Sequence, residues 1–199
     1  MKIKFTKGNW EDKLIYAYTY RYKNKALFKQ EKDHIKNSKD KTKENDFENI
    51  SLFFKEKYGV GTKIETTCSF DSYGAPLICL AEDLVKQKDG TLKFGNYYEI
   101  VVYEQGVNVW DLSYDGKKVS YYKMAGFTFN LSAKKKHKLK VELKNNRLYI
   151  EVERHSMQVG VPHSKSEYYW GIDACEGINR FYDIEITTGE WVWIKDLQV

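Results

Sequence analysis

The sequence is poor in the residues that break, bend or cross-link a chain. Of 199 residues only two are Pro, 13 are Gly and three are Cys, a composition that excludes collagen-like and low-complexity chains. No run of about twenty apolar residues occurs, so no membrane-spanning helix and no membrane partner are expected. The first nine residues are basic but no apolar stretch follows them, so no export signal is read there. Three cysteines (Cys68, Cys79 and Cys175) cannot all pair within one chain; without a leader they are expected as reduced thiols in a cytoplasmic protein. No C-x-x-C spacing or Cys/His cluster points to zinc. The four histidines (His34, His137, His155 and His163) lack metal-ligand spacing, and His137 is read as a surface or half-buried residue. A Gly-rich phosphate loop and a G-x-S-x-G elbow are missing too, which leaves nucleotide and serine-hydrolase chemistry without a foothold.

Arginine is also scarce. Only Arg21, Arg147, Arg154 and Arg180 accompany the lysines among 33 basic residues, and the net charge is +5. Phosphate and base recognition favour the guanidinium fork, so this lysine excess reads as solubilising and no nucleic-acid partner is expected. Lys134, Lys135 and Lys136 form the one basic cluster. Residues 29–46 mix signs evenly and lack aromatics, the pattern of a solvated polar insertion. The chain, with 42% hydrophobic residues, is long enough to bury a full core as a single domain over 1–199.

What is abundant is alternation with period two, the mark of strands. In 138–153 a turn at Asn145-Asn146 pairs Leu143 with Leu148, Val141 with Ile150 and Leu139 with Val152. Lys140 then faces Glu151 and Lys138 faces Glu153, so turn and pattern agree. A second hairpin, 99–103 with 108–112, turns around Gln105-Gly106 and sets Val102 against Val109, Tyr103 against Asn108, Val101 against Trp110 and Glu99 against Leu112. One face collects Ile100, Val102, Val107 and Val109, a core stripe. The other collects Glu99, Tyr103, Asn108 and Trp110, the mixture of aromatic, amide, phenol and carboxylate that sugar sites use for stacking and hydroxyl recognition. A turn at Asp115-Gly116 would bring Tyr121 opposite Trp110 on that face; one at Gly116-Lys117 would put it opposite Leu112.

Elsewhere, 64–70 and 77–81 read as a hairpin that sets Cys68 opposite Cys79. Leu14, Tyr16, Tyr18, Tyr20 and Tyr22 read first as a half-buried ladder packing a sheet and second as a ligand platform. Residues 47–57 fit a helix and 50–54 a strand. Residues 168–174 and 181–186 read as strands around a Glu176–Arg180 turn in which Arg180 would pair with Glu176 or anchor loop carbonyls. Residues 190–197 form a last strand with Trp191 and Trp193 on one side. About a dozen short strands with little helix predict an all-β protein of two packed antiparallel sheets.

The runs 97–112 (YYEIVVYEQGVNVWDL), 136–152 (KHKLKVELKNNRLYIEV) and 168–186 (YYWGIDACEGINRFYDIEI) together resemble the later strands of concanavalin A-like lectin/glucanase domains, which are jelly-roll sandwiches. The resemblance implies a saccharide site on the concave sheet face, where Glu99, Tyr103, Asn108, Trp110 and Tyr121 are the candidate ligand-binding residues, and non-catalytic carbohydrate binding as the leading function. A glycoside hydrolase is the alternative. Glucanases of this fold carry E-I-D-x-E, or E-I-D-x-x-E with a bulge; here Glu99 is followed by Val101 in the aspartate position and Tyr103 in that of the second glutamate. Only a bulge would bring Glu104 into place, and regular alternation sends it to the core side. A third alternative is a protein-interaction domain using the sandwich edge or the polar insertion. No cofactor is expected, calcium aside: the fold implies that Asp111, Asp173, Glu176 and Asp183 would be its ligands, although acidic residues at strand ends are read first as solvated.

Overall fold

The computed structural model describes residues 1–23, 25–37, 49–162 and 164–189. The expected strand at 190–197, His163 and the second half of the polar insertion lie outside the described residues. Among the described residues there are seventeen strands: β1 (Lys2–Lys4), β2 (Leu14–Thr19), β3 (Lys29–Gln30), β4 (Ile35–Lys36), β5 (Ile50–Gly59) and β6 (Thr62–Phe70). There follow β7 (Pro76–Ala81), β8 (Val85–Lys86), β9 (Leu92–Phe94), β10 (Tyr97–Tyr103), β11 (Gly106–Tyr114) and β12 (Val119–Thr128). The last described strands are β13 (His137–Lys144), β14 (Arg147–Val152), β15 (His155–Gly160), β16 (Glu167–Ala174) and β17 (Asn179–Thr188). No helix occurs among the described residues, so 50–59 is strand.

One sheet runs β15-β14-β13-β6-β17-β4-β3, with β1 also on β17; the other runs β12-β11-β10-β7-β16-β5-β2-β9-β8. All pairings are antiparallel except β2 with β9. The two sheets form a sandwich. Ile64, Cys68, Leu139 and Val141 from the first meet Ile78, Ile100, Val102, Val107 and Val109 from the second in the core, all fully buried. A second apolar cluster, with Ala17, Phe53, Leu77, Cys79, Ala81, Tyr97 and Leu112, lies on the outer face of the nine-stranded sheet. The middle strands of that sheet are thus covered on both sides, and every residue of β7 is buried.

The β13–β14 hairpin has the expected register, and Asn145 and Asn146 both take positive φ (50° and 55°) as a type I′ turn requires. The ladder stops at Val152, however. Glu153 turns to φ 54° and brings its carboxylate within 2.9 Å of a ring nitrogen of His137, while Lys138 pairs with Glu65 instead. His137 is not a surface residue. It is 5% exposed, stacks on Phe70, and sets its other ring nitrogen 2.8 Å from the Ser132 carbonyl.

Three further expectations are corrected. Strands β6 and β7 do not form a hairpin, because the chain crosses between the sheets at 71–75. Cys68 therefore lies in the core beside His137 and Phe181, and Cys79 on the outer face between Glu99 and Gly171. The crossing lets β7 bury both faces, which an edge hairpin would not. All three thiols are free and buried. The tyrosine ladder ends at Thr19, and Tyr20, Arg21 and Tyr22 leave the sheet. The start of the polar insertion supplies β3 and β4. Just beyond them, buried Asn37 donates to the Gly177 carbonyl and accepts from the Asn179 amide.

Candidate functional site

The site starts from one hairpin. β10 and β11 turn through Glu104-Gln105, with Glu99 opposite Trp110, Val101 opposite Asn108 and Tyr103 opposite Gly106. This register differs by two residues from the expected one. A shift of one would turn every side chain to the opposite face, whereas a shift of two keeps the faces and changes only the neighbours. Glu99, Val101, Tyr103, Asn108 and Trp110 accordingly share the outer face. Tyr121 on β12 stands opposite Leu112, while Trp110 faces Lys123 just before a bulge. The Tyr121 ring still meets that of Trp110 edge to face, centroids 6.1 Å apart.

Together these side chains line a cleft of about 430 Å³ that holds all five expected ligand-binding residues. Leu77, Val101 and Leu112 give it an apolar base, and Tyr22, Tyr103, Trp110 and Tyr121 give it aromatic walls. The register places the polar groups in two adjacent rows. One runs Trp110, Glu99, Cys79, Gly171 across β11, β10, β7 and β16; the next runs Asn108, Val101, Leu77, Asp173, Ser51 as far as β5. Glu99 and Asp173 thus lie on the same face in adjacent rows with β7 between their strands, at positions 74 residues apart in sequence.

Both carboxyls are buried, and both are pushed toward the neutral form. Burial, with the charge of Asp173 behind it, raises Glu99 to about 8 against the pull of Arg21. Burial raises Asp173 to about 7, although hydrogen bonds from Ser51 and Asn49 and the nearby Arg21 favour its charge. Glu99 Oε1 and Asn108 Oδ1 are buried without a hydrogen-bond partner.

The cleft also gathers residues that periodicity did not single out for it: Arg21, Tyr22, Tyr73, Cys175 and Glu176. Tyr22 belonged to the ladder read as packing, and the rarity of arginine was the one sequence signal for Arg21. Glu104 is neither in the core nor at an acid/base position. β10 pairs with both neighbours without a bulge, so Glu104 stays exposed in the turn beside the cleft. The four acids considered for calcium do not converge: Asp183 is on β17 of the opposite sheet, accepting from the Thr67 amide, while Asp173 is buried on β16 against Ser51 and Asn49. Among the described residues no three His, Cys, Asp or Glu side chains form a metal-binding group. Arg180 grips Asp71 through both terminal nitrogens (3.0 and 3.2 Å) rather than pairing with Glu176.

Tyr73 at the cleft is 72% exposed with φ 66°, a left-handed conformation that costs a non-glycine residue about 1–2 kcal/mol. Tyr73→Gly should therefore raise stability by about 1 kcal/mol in urea denaturation. A fall in stability would mean that the ring is held by packing rather than displayed.

No protein-family profile matches the sequence, and no curated protein matches it significantly. Solved structures do match the fold. The carbohydrate binding module CBM66 from Bacillus subtilis superposes with a TM-score of 0.61 at 13% identity, over 86% of this chain and 99% of that one. The VIP36 exoplasmic/lumenal domain, in its Ca2+/Man3GlcNAc-bound form, gives 0.60 at 10% identity, over 88% and 84%. A glycoside hydrolase family 16 endo-glucanase from Bacteroides ovatus, in complex with G4G3G-2F-DNP, gives 0.58 at 12% identity, over 94% and 99%. The fold is the concanavalin A-like jelly roll. Within this jelly roll the cleft occupies the outer face of the nine-stranded sheet, built on its β10–β11–β12 side and closed by residues 21–22 and by the loops after β6 and β16. At identities this low the likeness extends to the architecture and not to the chemistry of the site.

Proposed function

We propose that this cleft binds a carbohydrate without cleaving it. The observation that carries the reading is the pair of buried acceptors, Glu99 Oε1 and Asn108 Oδ1, left without donors beside the rings of Trp110 and Tyr121. A buried polar atom without a partner costs about 1–3 kcal/mol. A sugar removes that cost, because its hydroxyls donate while its C–H face packs on an aromatic ring. The saccharide-related names of the three superposed proteins support the same class of ligand.

Two observations favour binding over hydrolysis. Retaining hydrolysis needs two carboxyl groups about 5 Å apart on either side of the scissile bond, yet Val101 and Tyr103 stand where further acids would follow Glu99 along β10. Asp173, the other buried carboxyl on this face, is 1% exposed and engaged by Ser51 and Asn49.

The test is a glycan array probed with the wild-type protein and with Trp110→Ala, followed by calorimetry on any hit. The substitution is expected to weaken binding at least tenfold, about 1.4 kcal/mol, with the unfolding midpoint nearly unchanged. Retention of wild-type affinity would show that the ligand sits elsewhere. Incubation of each hit with wild type and Glu99→Gln should release no shorter product in either case; product that disappears in Glu99→Gln would make the protein a hydrolase.

A further inference from the structure

Given the carbohydrate reading, we propose that the ligand is an acidic saccharide of the uronic-acid type, its carboxylate received by the Arg21 guanidinium. Residues 20–22 leave β2 and run across the outer face of the nine-stranded sheet as a strap. Tyr20 stacks on Tyr114 (4.2 Å, 4° between planes), and the Tyr22 hydroxyl lies 4.0 Å from the Cys175 sulfur. Between these anchors the Arg21 guanidinium carbon is held 5.0 Å from the Tyr22 ring centre and 4.9 Å from that of Tyr121. Rings occupy the faces of a guanidinium; its N–H donors radiate in the plane and remain available.

Those donors are unused among the described residues. Arg21 makes no hydrogen bond or ion pair through its side chain with a described residue, whereas Arg180 shows what a structural arginine looks like here, gripping Asp71 with both terminal nitrogens. A planar fork with free donors, placed in a cleft, matches a carboxylate bidentately. Lysine supplies nearly all the positive charge of this chain, and a lysine would provide a point charge without that fork.

The charges around the cleft decide which end the anion takes. Tyr121, against which Arg21 lies, is in register with Leu112 and Tyr97 at the start of β10. Glu104 follows the last residue of β10 and stands toward the opposite end, whereas Glu176 follows Cys175, against which the Tyr22 hydroxyl rests. Lys123 on β12 adds a second cation over Trp110, its Nζ 5.8 Å from the ring centre on the side of Gly126 and Asn108. Glu99, between the two ends, is buried in surroundings that favour its neutral form. A uronic acid stacked on Trp110 would carry its carboxylate at the ring carbon, within reach of Arg21 and away from Glu104.

The experiment uses matched pairs: tetragalacturonate and a hyaluronan tetrasaccharide, each beside its carboxyl-reduced counterpart, with 6-sulfated N-acetyllactosamine as a carboxylate-free anion. Calorimetry with wild type, Arg21→Lys and Arg21→Met is accompanied by unfolding midpoints. At least one acidic member should bind wild type tenfold or more tightly than its reduced form. Arg21→Met should shrink that preference to less than twofold while affinity for the reduced form and the midpoint hold, and Arg21→Lys should keep only part of it. Equal binding of acidic and reduced forms, or a preference that survives in Arg21→Met, overturns the assignment. Preferential binding of the sulfated disaccharide overturns it in favour of sulfate. Binding of neutral glycans alone overturns it but leaves the carbohydrate reading standing, whereas a blank for every glycan brings down both.

Discussion

Glu99→Gln is expected to make the protein about 3 kcal/mol more stable at pH 8 while changing it little at pH 4.5. The carboxyl titrates near 8 in the folded protein and near 4.5 when exposed. Below the lower value both states hold the proton and ionisation contributes nothing. Between the two values the unfolded chain has released its proton and the folded one has not, so stability falls as pH rises, and the loss is complete above 8. At 1.36 kcal/mol per pH unit that interval is worth roughly 4 to 5 kcal/mol. Glutamine keeps the shape and cannot ionise, and its buried amide returns about 1 kcal/mol of the gain. Asp173, raised to about 7, should leave a residual slope of the same sign in the variant. Urea unfolding at pH 4.5, 6 and 8 measures the difference directly. A difference that stays constant across this range would show that Glu99 is already ionised in the folded state.

Gly106→Ala should destabilise the protein by about 3 to 5 kcal/mol and weaken the cleft at the same time. Gly106 closes the turn that aligns Glu99 with Trp110, and it does so at φ 129°. A Cβ there would stand 1.9 Å from the Phe127 carbonyl oxygen on β12, a backbone atom that cannot step aside without shifting the strand. Overpacking and backbone strain each cost about 1–3 kcal/mol, and both apply. Gly160→Ala is the control: nothing lies within 4 Å of its added Cβ and its φ is not positive, so its effect should stay within about 0.5 kcal/mol. Similar unfolding midpoints for the two variants would mean that the β10–β11 turn does not have this geometry.

The same hairpin shows what alternation can and cannot determine. Side chains in a strand have period two, so any register that preserves parity keeps Glu99, Tyr103, Asn108 and Trp110 on one face. That is why this face was legible although each expected pair was displaced by two residues. The type I′ turn at Asn145-Asn146 was more informative, because two adjacent residues that tolerate positive φ leave little freedom in where the chain reverses. Local pattern also decided between strands and helices over most of the chain, and with them the all-β class.

Partnership between distant strands was not legible in the same way. Residues 64–70 and 77–81 look like a hairpin because both alternate around a turn, but whether the chain folds back or crosses to the other sheet depends on what else covers them. Cys79 meets Glu99 and Gly171 because β10 and β16 flank β7, and no spacing within 77–81 encodes that. His137 looked superficial for a similar reason, since its burial comes from Phe70 and the returning Glu153.

The sequence by itself therefore determined the strands, their faces and five residues of the cleft, through interactions of short range and fixed period. The strap that carries Arg21, the placing of Glu99 and Asp173 on one face and the crossing that parts Cys68 from Cys79 were decided only in the tertiary structure. Each depends on segments far apart in the chain competing to cover the same apolar surface, and the outcome of that competition is a property of the whole packed sandwich.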